Sequence, residues 1–104
     1  MSERLFCTAA LWRWTGGKAA GSWHFVTIGG EAGEALSATA LMRRLEGLGR
    51  GFGSLKVTAT IGSSQWQTSV FPSRDDGWML PVKAAVRKAE GLREGDAVEL
   101  LLEV

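Results

Sequence analysis

The chain has 104 residues, of which 45% are hydrophobic and 22% are charged, and its formal net charge is +1. This length suits one domain with one modest core, and the balance of residue types excludes a disordered chain. A net charge so close to zero gives no general reason to expect nucleic acid or an anionic membrane as a partner.

The start of the chain predicts a β-hairpin. RLFCTAALWRW at residues 4–14 is rich in aromatic and small apolar residues, which indicates a strand that is buried on both faces at its middle. A glycine-rich loop follows. WHFVTI at residues 23–28 alternates between two faces and predicts the partner strand of the hairpin.

At residues 34–49 the spacing of apolar residues changes from every second residue to every third or fourth, which predicts a short amphipathic helix. Leu41, Leu45 and Leu48 recur at steps of four and three, so they should form the stripe that faces the core. Ser37 is the candidate N-cap, and the glycines at the other end should close the helix.

Four further segments are predicted to be strands. Residues 55–61 and 65–71 alternate cleanly on either side of a tight turn. A short strand at residues 78–80 follows a polar turn. The last strand covers residues 97–104, with valines and leucines on one face and glutamates on the other.

A second short helix is predicted between the last two strands. Pro81 suits its first position, where the missing N–H is not needed. Valines and alanines from Val82 to Ala89 repeat at helical spacing and should face the core. Gly91 suits the left-handed residue that ends a helix.

These elements favour a closed structure over an open sheet, because an open sheet of this size would leave edges that promote aggregation. The sequence therefore predicts a mainly β protein, a small closed β-barrel of about six strands with two short helices. The barrel is expected to form a single domain over residues 1–104.

Four motifs together resemble a known bacterial family. They are WHFV at residues 23–26, GFGSLKV at 51–57, WQTSVFP at 66–72 and LPVKAAVRKAEG at 80–91. In this order and spacing they are similar to the domain of unknown function numbered nineteen hundred and five, and the similarity covers nearly the whole chain. Members of that family resemble stand-alone cytoplasmic proteins or carry a fused helical domain named for bacteriocin protection.

The resemblance implies a double-split β-barrel and assigns no activity to any residue. The C-terminal pattern LP…VR…GLREGDAVEL also resembles the swapped-hairpin half-barrel of AbrB- and MazE-type regulators, in which two chains complete one barrel. Because this chain is long enough for two such halves, one chain is expected to supply a whole barrel.

The sequence offers few groups for catalysis. His24, the only histidine, has no acidic partner or nucleophile beside it, so a strand residue that faces solvent or bonds to backbone is favoured over a general base. Cys7, the only cysteine, lies in an apolar segment and is favoured as a small buried thiol. Scattered carboxylates give no spacing for metal ligands, so neither a metal nor another cofactor is expected.

Three features of the sequence predict the cellular compartment of the protein. A single cysteine excludes a disulfide within the chain and favours a reducing compartment. The first residues lack the pattern of a signal peptide, and no apolar run approaches the ~18 residues of a membrane span. We therefore expect a cytoplasmic protein with no membrane partner.

Basic residues around the second predicted helix are the clearest candidate for a site. Lys83, Arg87 and Lys88 occur with no acid between them, and like charges one helical turn apart cost stability. One interpretation is an anion site built from Lys83, Arg87 and the helix-start amides. The favoured alternative is a solvated face, or ion pairs with Glu99 and Glu103, because surface charges usually contribute little.

Tryptophans extend this candidate site. The chain has five, and Trp12 and Trp14 share one face of the first strand. Trp23, Trp66 and Trp78 can line a barrel mouth, where rings beside cations hold a ligand by stacking, although large aromatics more often fill a core. The predicted ligand-binding residues are Lys83, Arg87, Arg50, Trp23 and Trp66.

The function favoured by the sequence is a non-enzymatic barrel domain that binds a small anionic ligand or a protein partner, as a monomer or weak homodimer. The alternative is a DNA-binding module like the swapped-hairpin regulators, which requires a basic face and an affinity that depends on salt. An enzyme is the third hypothesis, and it requires His24 to titrate near neutrality in a cleft.

Overall fold

A computed structural model describes residues 3–14, 23–47, 53–73 and 77–104 of the chain. The elements in chain order are β1 (Arg4–Trp14), β2 (Trp23–Ile28), α1 (Gly30–Leu45), β3 (Leu55–Ile61), β4 (Ser64–Pro72), β5 (Trp78–Pro81), α2 (Ala84–Glu90) and β6 (Ala97–Glu103). The strands form a closed barrel in the order β1-β2-β5-β4-β3-β6, and every neighbouring pair is antiparallel. The predicted closed barrel of six strands with two helices is confirmed.

Two long strands, β1 and β4, each pair with two neighbours and so close the barrel. The first part of β1 pairs with β6, from Arg4 opposite Glu103 onward, and its last part pairs with β2, up to Trp14 opposite Trp23. β4 pairs with β3 over most of its length and with β5 at its end. This arrangement gives each strand two neighbours and removes the free edges of an open sheet.

The core lies inside the barrel and follows the alternation of each strand. In β3 the four predicted inward residues, from Leu55 to Ile61, are buried, and β6 buries Val98 and two leucines. The prediction that β1 is buried on both faces at its middle is wrong. Thr8 and Ala10 are exposed, as is Phe6, because the even-numbered side chains of β1 point outward.

Helix α1 begins earlier than predicted and packs through a different face. Leu36 is 0% exposed, whereas Leu45 is 74% exposed and Leu41 is also exposed, so the predicted apolar stripe does not face the core. The packed part is the N-terminal half, where Gly33 lies so close to the Ile28 carbonyl that a Cβ would come within 2.7 Å of its oxygen. The third residue of that stripe, Leu48, lies outside the described residues.

The N-cap of α1 is Gly29, so the prediction that Ser37 caps this helix is wrong. Ser37 lies in the middle of the helix, and its hydroxyl accepts a hydrogen bond of 3.0 Å from Nε1 of Trp78 on β5. This hydrogen bond therefore links α1 to the barrel. Backbone hydrogen bonds hold the other end of α1 near Gly47, which has a φ of 74°.

Helix α2 begins later than predicted. Pro81 ends β5 opposite Phe25, so it is not the first helical residue, and a missing N–H is tolerated at a strand end. Val82 continues the contact with β2 through a 2.9 Å hydrogen bond to the His24 carbonyl, and Lys83 is the N-cap. The predicted left-handed end is confirmed at Gly91, whose φ is 65°.

Candidate functional site

The wall of the barrel opens where β5 ends. β5 has only four residues, and β2 and β4 both continue beyond its end toward Trp23 and Trp66. Helix α2 follows β5 directly and packs near β4. A cavity of about 470 Å³ lies here, between β2, β4 and the start of α2, and we call it the gap cavity.

Four of the five residues predicted to bind a ligand line the gap cavity: Trp23, Trp66, Lys83 and Arg87. Trp66 faces inward and is only 8% exposed, so it forms part of the floor, whereas Trp23 is 56% exposed and lies at the rim. The fifth predicted residue, Arg50, lies outside the described residues.

The remaining tryptophan proposed for the barrel mouth, Trp78, is not part of the cavity lining. It is buried and donates its indole N–H to Ser37 in α1. Arg43, Arg44 and Lys56, the other basic residues in the middle of the chain, are likewise absent from that lining.

The two cations of the gap cavity have no acidic partner among the described residues. Nε of Arg87 donates a 3.2 Å hydrogen bond to the Val82 carbonyl, which orients the guanidinium. Within the described parts of the chain, neither Lys83 nor Arg87 has a carboxylate oxygen within 4.0 Å. The predicted ion pairs with Glu99 and Glu103 on β6 are therefore not formed.

Side chains supply the formal positive charge of the cavity. Lys83, the N-cap of α2, and Arg87 both belong to its lining. α2 has seven residues, which gives a small macrodipole, so the start of the helix adds little to that charge. None of the described residues that line the cavity is acidic.

His24 also lines the gap cavity, which the interpretation of the sequence missed. It shares the inward face of β2 with Val26 and Ile28, and its Nδ1 is buried without a hydrogen-bond partner. The signal was present in the alternation of WHFVTI, which places this imidazole on the buried side of the strand.

The electrostatic surroundings of His24 favour its neutral form. Burial lowers the pKa of the imidazole below its usual value, and the charges of Arg87 and Arg13 lower the pKa further, while Glu94 acts in the opposite direction. The lowered pKa therefore shifts the protonation equilibrium of the imidazole toward its neutral form. An anion placed in the cavity would offset the cations and favour protonation of the ring.

A second cavity, of about 330 Å³, lies on the outer face of the barrel beside the gap cavity. Its lining is entirely apolar or aromatic and consists of Trp12, Trp14, Trp23, Phe25 and Met79. The strand register creates this surface, which we call the aromatic groove, because Trp12 lies opposite Phe25 and Trp14 lies opposite Trp23. Trp12 and Trp14 share one face, as predicted.

The rings of the aromatic groove are ordered against one another. The ring centroids of Trp12 and Phe25 are 5.1 Å apart, and those of Trp23 and Phe25 are 6.4 Å apart with an interplanar angle of 13°. Nε1 of Trp12 donates a 2.8 Å hydrogen bond to the Thr27 hydroxyl, which fixes this indole in place. The groove is therefore a set of oriented ring faces.

A family model described as Domain of unknown function (DUF1905) matches residues 7–102. The chain belongs to the DUF1905 family. The resemblance inferred from the four sequence motifs is thereby confirmed, and the match covers the residues that line both cavities. A comparison of this DUF1905 domain with curated proteins gives no match.

Among the described residues of the DUF1905 domain, the remaining candidate groups do not form a metal site. Cys7 is half-buried; burial raises the pKa of its thiol, and the backbone N–H of Gly29 lowers it by a smaller amount. Across the described ranges no cluster of histidine, cysteine and carboxylate side chains is arranged to hold a metal. No helix in those ranges is both long and apolar enough to cross a bilayer.

Proposed function

We propose that this DUF1905 domain binds a small anion in the gap cavity. The observation that carries the proposal is the convergence of Lys83, Arg87 and His24 on one concave surface that has no acid among its described lining residues. Like charges that are brought together without acidic partners cost stability, and a bound anion offsets that cost.

The cavity provides donors of different kinds. Nε of Arg87 is fixed on the Val82 carbonyl, which leaves the terminal amino groups of the guanidinium for a ligand. Lys83 is exposed and adds an ammonium group to the lining. Charge-assisted hydrogen bonds of this kind are roughly twice as strong as bonds between neutral groups.

The arrangement supports binding better than catalysis. A proton-transfer site needs a nucleophile or substrate group held by the base, and a third group that orients the base. The charges of Arg87, Arg13 and Glu94 all act on His24, but its Nδ1 has no hydrogen-bond partner among the described residues, so no group orients the ring. We therefore propose a non-enzymatic domain.

A small anion also fits these observations better than a DNA duplex. Binding to duplex DNA requires several phosphate contacts along an extended basic face. Here Lys83 and Arg87 line one concavity, which suits a single compact charged group. One chain closes the barrel alone, unlike the two-chain regulators that its C-terminal pattern resembles.

The proposal is tested by an NMR titration of the protein with inorganic phosphate, with sodium chloride used to hold the ionic strength constant. We expect saturable shifts of the Val82 and Lys83 amides and of the Trp23 indole. Lys83→Ala and Arg87→Ala should each weaken phosphate binding by roughly three- to tenfold, which is the worth of one charge-assisted contact at a partly exposed site.

Lys88→Ala is the matched control. Lys88 is an exposed cation of the same helix and is not among the residues that line the gap cavity, so its loss should leave phosphate affinity unchanged. Equal losses in the Lys83 and Lys88 variants, or phosphate shifts no larger than those from chloride, would contradict the proposal. Tight, steeply salt-dependent binding of a labelled duplex in the same assay would favour the DNA-binding alternative.

A further inference from the structure

We propose that the ligand of the gap cavity is an anion that carries a flat aromatic ring, and that this ring lies in the aromatic groove. The inference rests on the proposed anion site and specifies its ligand class. Its basis is Trp23, which lines both cavities.

The two cavities are neighbours across a single residue of β2. Trp23 lies at the rim of both, and His24, the next residue, lines only the gap cavity. Both cavities are bordered by the side chain of Trp23, so a small molecule that contacts this ring can extend its charge into the gap cavity and its ring into the aromatic groove.

Packing of the barrel does not account for the rings of the aromatic groove. Trp14 is 43% exposed and Trp23 is 56% exposed, although both are large apolar side chains. Apolar surface left in water is unfavourable, and contiguous patches of it mark binding sites in soluble proteins. The core is filled by inward residues such as Leu11 and Val26, so it does not require these rings.

The groove selects a ring rather than a polar group. Trp12 already donates its indole N–H to Thr27, and Met79 adds a polarizable thioether at the edge of the lining. What remains for a ligand is chiefly ring faces. Stacking on such faces contributes about 1–3 kcal/mol per ring in proteins that bind aromatic bases.

The charges of the gap cavity point to an organic phosphate. A phosphate monoester carries up to about two negative charges near neutral pH, because its second pKa is ~6. Those charges match the two unpaired cations Lys83 and Arg87, whereas a carboxylate with the same ring offers one charge. Phenyl phosphate and 1-naphthyl phosphate are the simplest members of this class.

The test compares four probes in one calorimetric or NMR assay: inorganic phosphate, cyclohexyl phosphate, phenyl phosphate and benzoate. We expect phenyl phosphate to bind at least tenfold more tightly than inorganic phosphate, with cyclohexyl phosphate between them and benzoate weaker than phenyl phosphate. Trp14→Ala should remove most of the extra affinity of phenyl phosphate over inorganic phosphate, and it should leave the affinity for inorganic phosphate unchanged. Lys83→Ala should weaken every phosphate probe.

Phe6→Ala is the control for removing an exposed aromatic ring, since Phe6 lies on the outer face of β1 opposite Leu101, away from the groove. If inorganic and phenyl phosphate bind equally, or if Trp14→Ala weakens both equally, the ring inference is overturned and the anion site stands. If no phosphate binds, the anion site itself fails. A Trp14-dependent dimer in sedimentation would instead identify the groove as an interface and overturn the inference.

Discussion

The carboxylate of Glu90, the last residue of α2, accepts a 2.6 Å hydrogen bond from the hydroxyl of Ser64 at the start of β4. The same oxygen, Oε2, also accepts a longer bond of 3.4 Å from Ser63. These contacts hold the C-terminal end of α2 against the turn between β3 and β4. Because α2 borders the gap cavity, they also help to position Lys83 and Arg87.

Gly62→Ala should destabilise the protein more than the same change at Gly91. Both glycines have left-handed backbone angles, with φ of 59° and 65°, but a Cβ at Gly62 would collide with the Glu90 carboxylate, whereas Gly91 has open space. Each change should cost about 1 kcal/mol through backbone strain, and Gly62→Ala about 1–2 kcal/mol more by displacing the carboxylate from Ser64. Urea denaturation measures both. Equal losses of stability from Gly62→Ala and Gly91→Ala would refute this explanation. So would a larger loss from Gly62→Ala that persists when Glu90 is also replaced by alanine.

The bond between Trp78 and Ser37 should show energetic coupling. Ser37→Ala leaves a mostly buried indole N–H without its partner, at a cost of about 1–2 kcal/mol, and Trp78→Phe removes the donor. In a double-mutant cycle, the serine change should cost much less once the donor is gone. A cost that is independent of Trp78 would instead indicate that Ser37 acts on the helix alone.

The N-terminal half of α1 should contribute most of the stability that the protein gains from packing this helix against the barrel. Leu36→Ala removes a fully buried side chain and should lower the free energy of unfolding by about 2–5 kcal/mol. Leu45→Ala, the same substitution on the same helix at a side chain that is 74% exposed, should change it by less than about 0.5 kcal/mol. Thermal and urea denaturation provide the comparison, and similar losses would mean that the exposed stripe is covered in solution.

The surroundings of His24 predict a loss of stability in weak acid. Its pKa is lowered in the folded protein by burial, Arg87 and Arg13, against the opposing Glu94, and Lys83 also lines its cavity. The unfolded chain therefore takes up the proton at a higher pH than the folded chain. The stability contributed by this group is complete above the unfolded value of 6.5 and is lost as pH falls toward the folded value.

Denaturation at about pH 7.5 and about pH 5.5 measures this loss, and His24→Gln should reduce it. Inorganic phosphate should also reduce it, because a bound anion offsets the neighbouring cations and raises the pKa of His24. An NMR titration that gives an unshifted or raised pKa for the imidazole in the free protein would contradict the prediction.

Sequence periodicity was sufficient to predict the strands and the barrel. Strands such as β3 alternate over enough residues that only one face could be buried, as from Leu55 to Ile61, whereas the small and aromatic residues of β1 gave no clear alternation and its outer face was predicted wrongly. The helices were predicted less well, because their apolar stripes are set by what they pack against. Leu41 and Leu45 fit a helical stripe, but Gly33 allows the other end of α1 to approach the barrel more closely.

The candidate site was predicted in part. Local charge indicated Lys83 and Arg87, and their proximity to Trp23 and Trp66 depends on where β5 ends, which the sequence pattern did not reveal. The aromatic groove depends on the register between β1 and β2, which is set by the whole barrel rather than by either strand alone.

Because β5 stops after four residues, a helix rather than a strand completes this side of the wall. The side chains at positions 83, 84 and 87 can therefore be exchanged without removing a hydrogen bond between strands. Under the proposed anion binding, these three positions offer a route to altered ligand preference, and a protein engineer can vary them in a library whose members are expected to keep the parent fold.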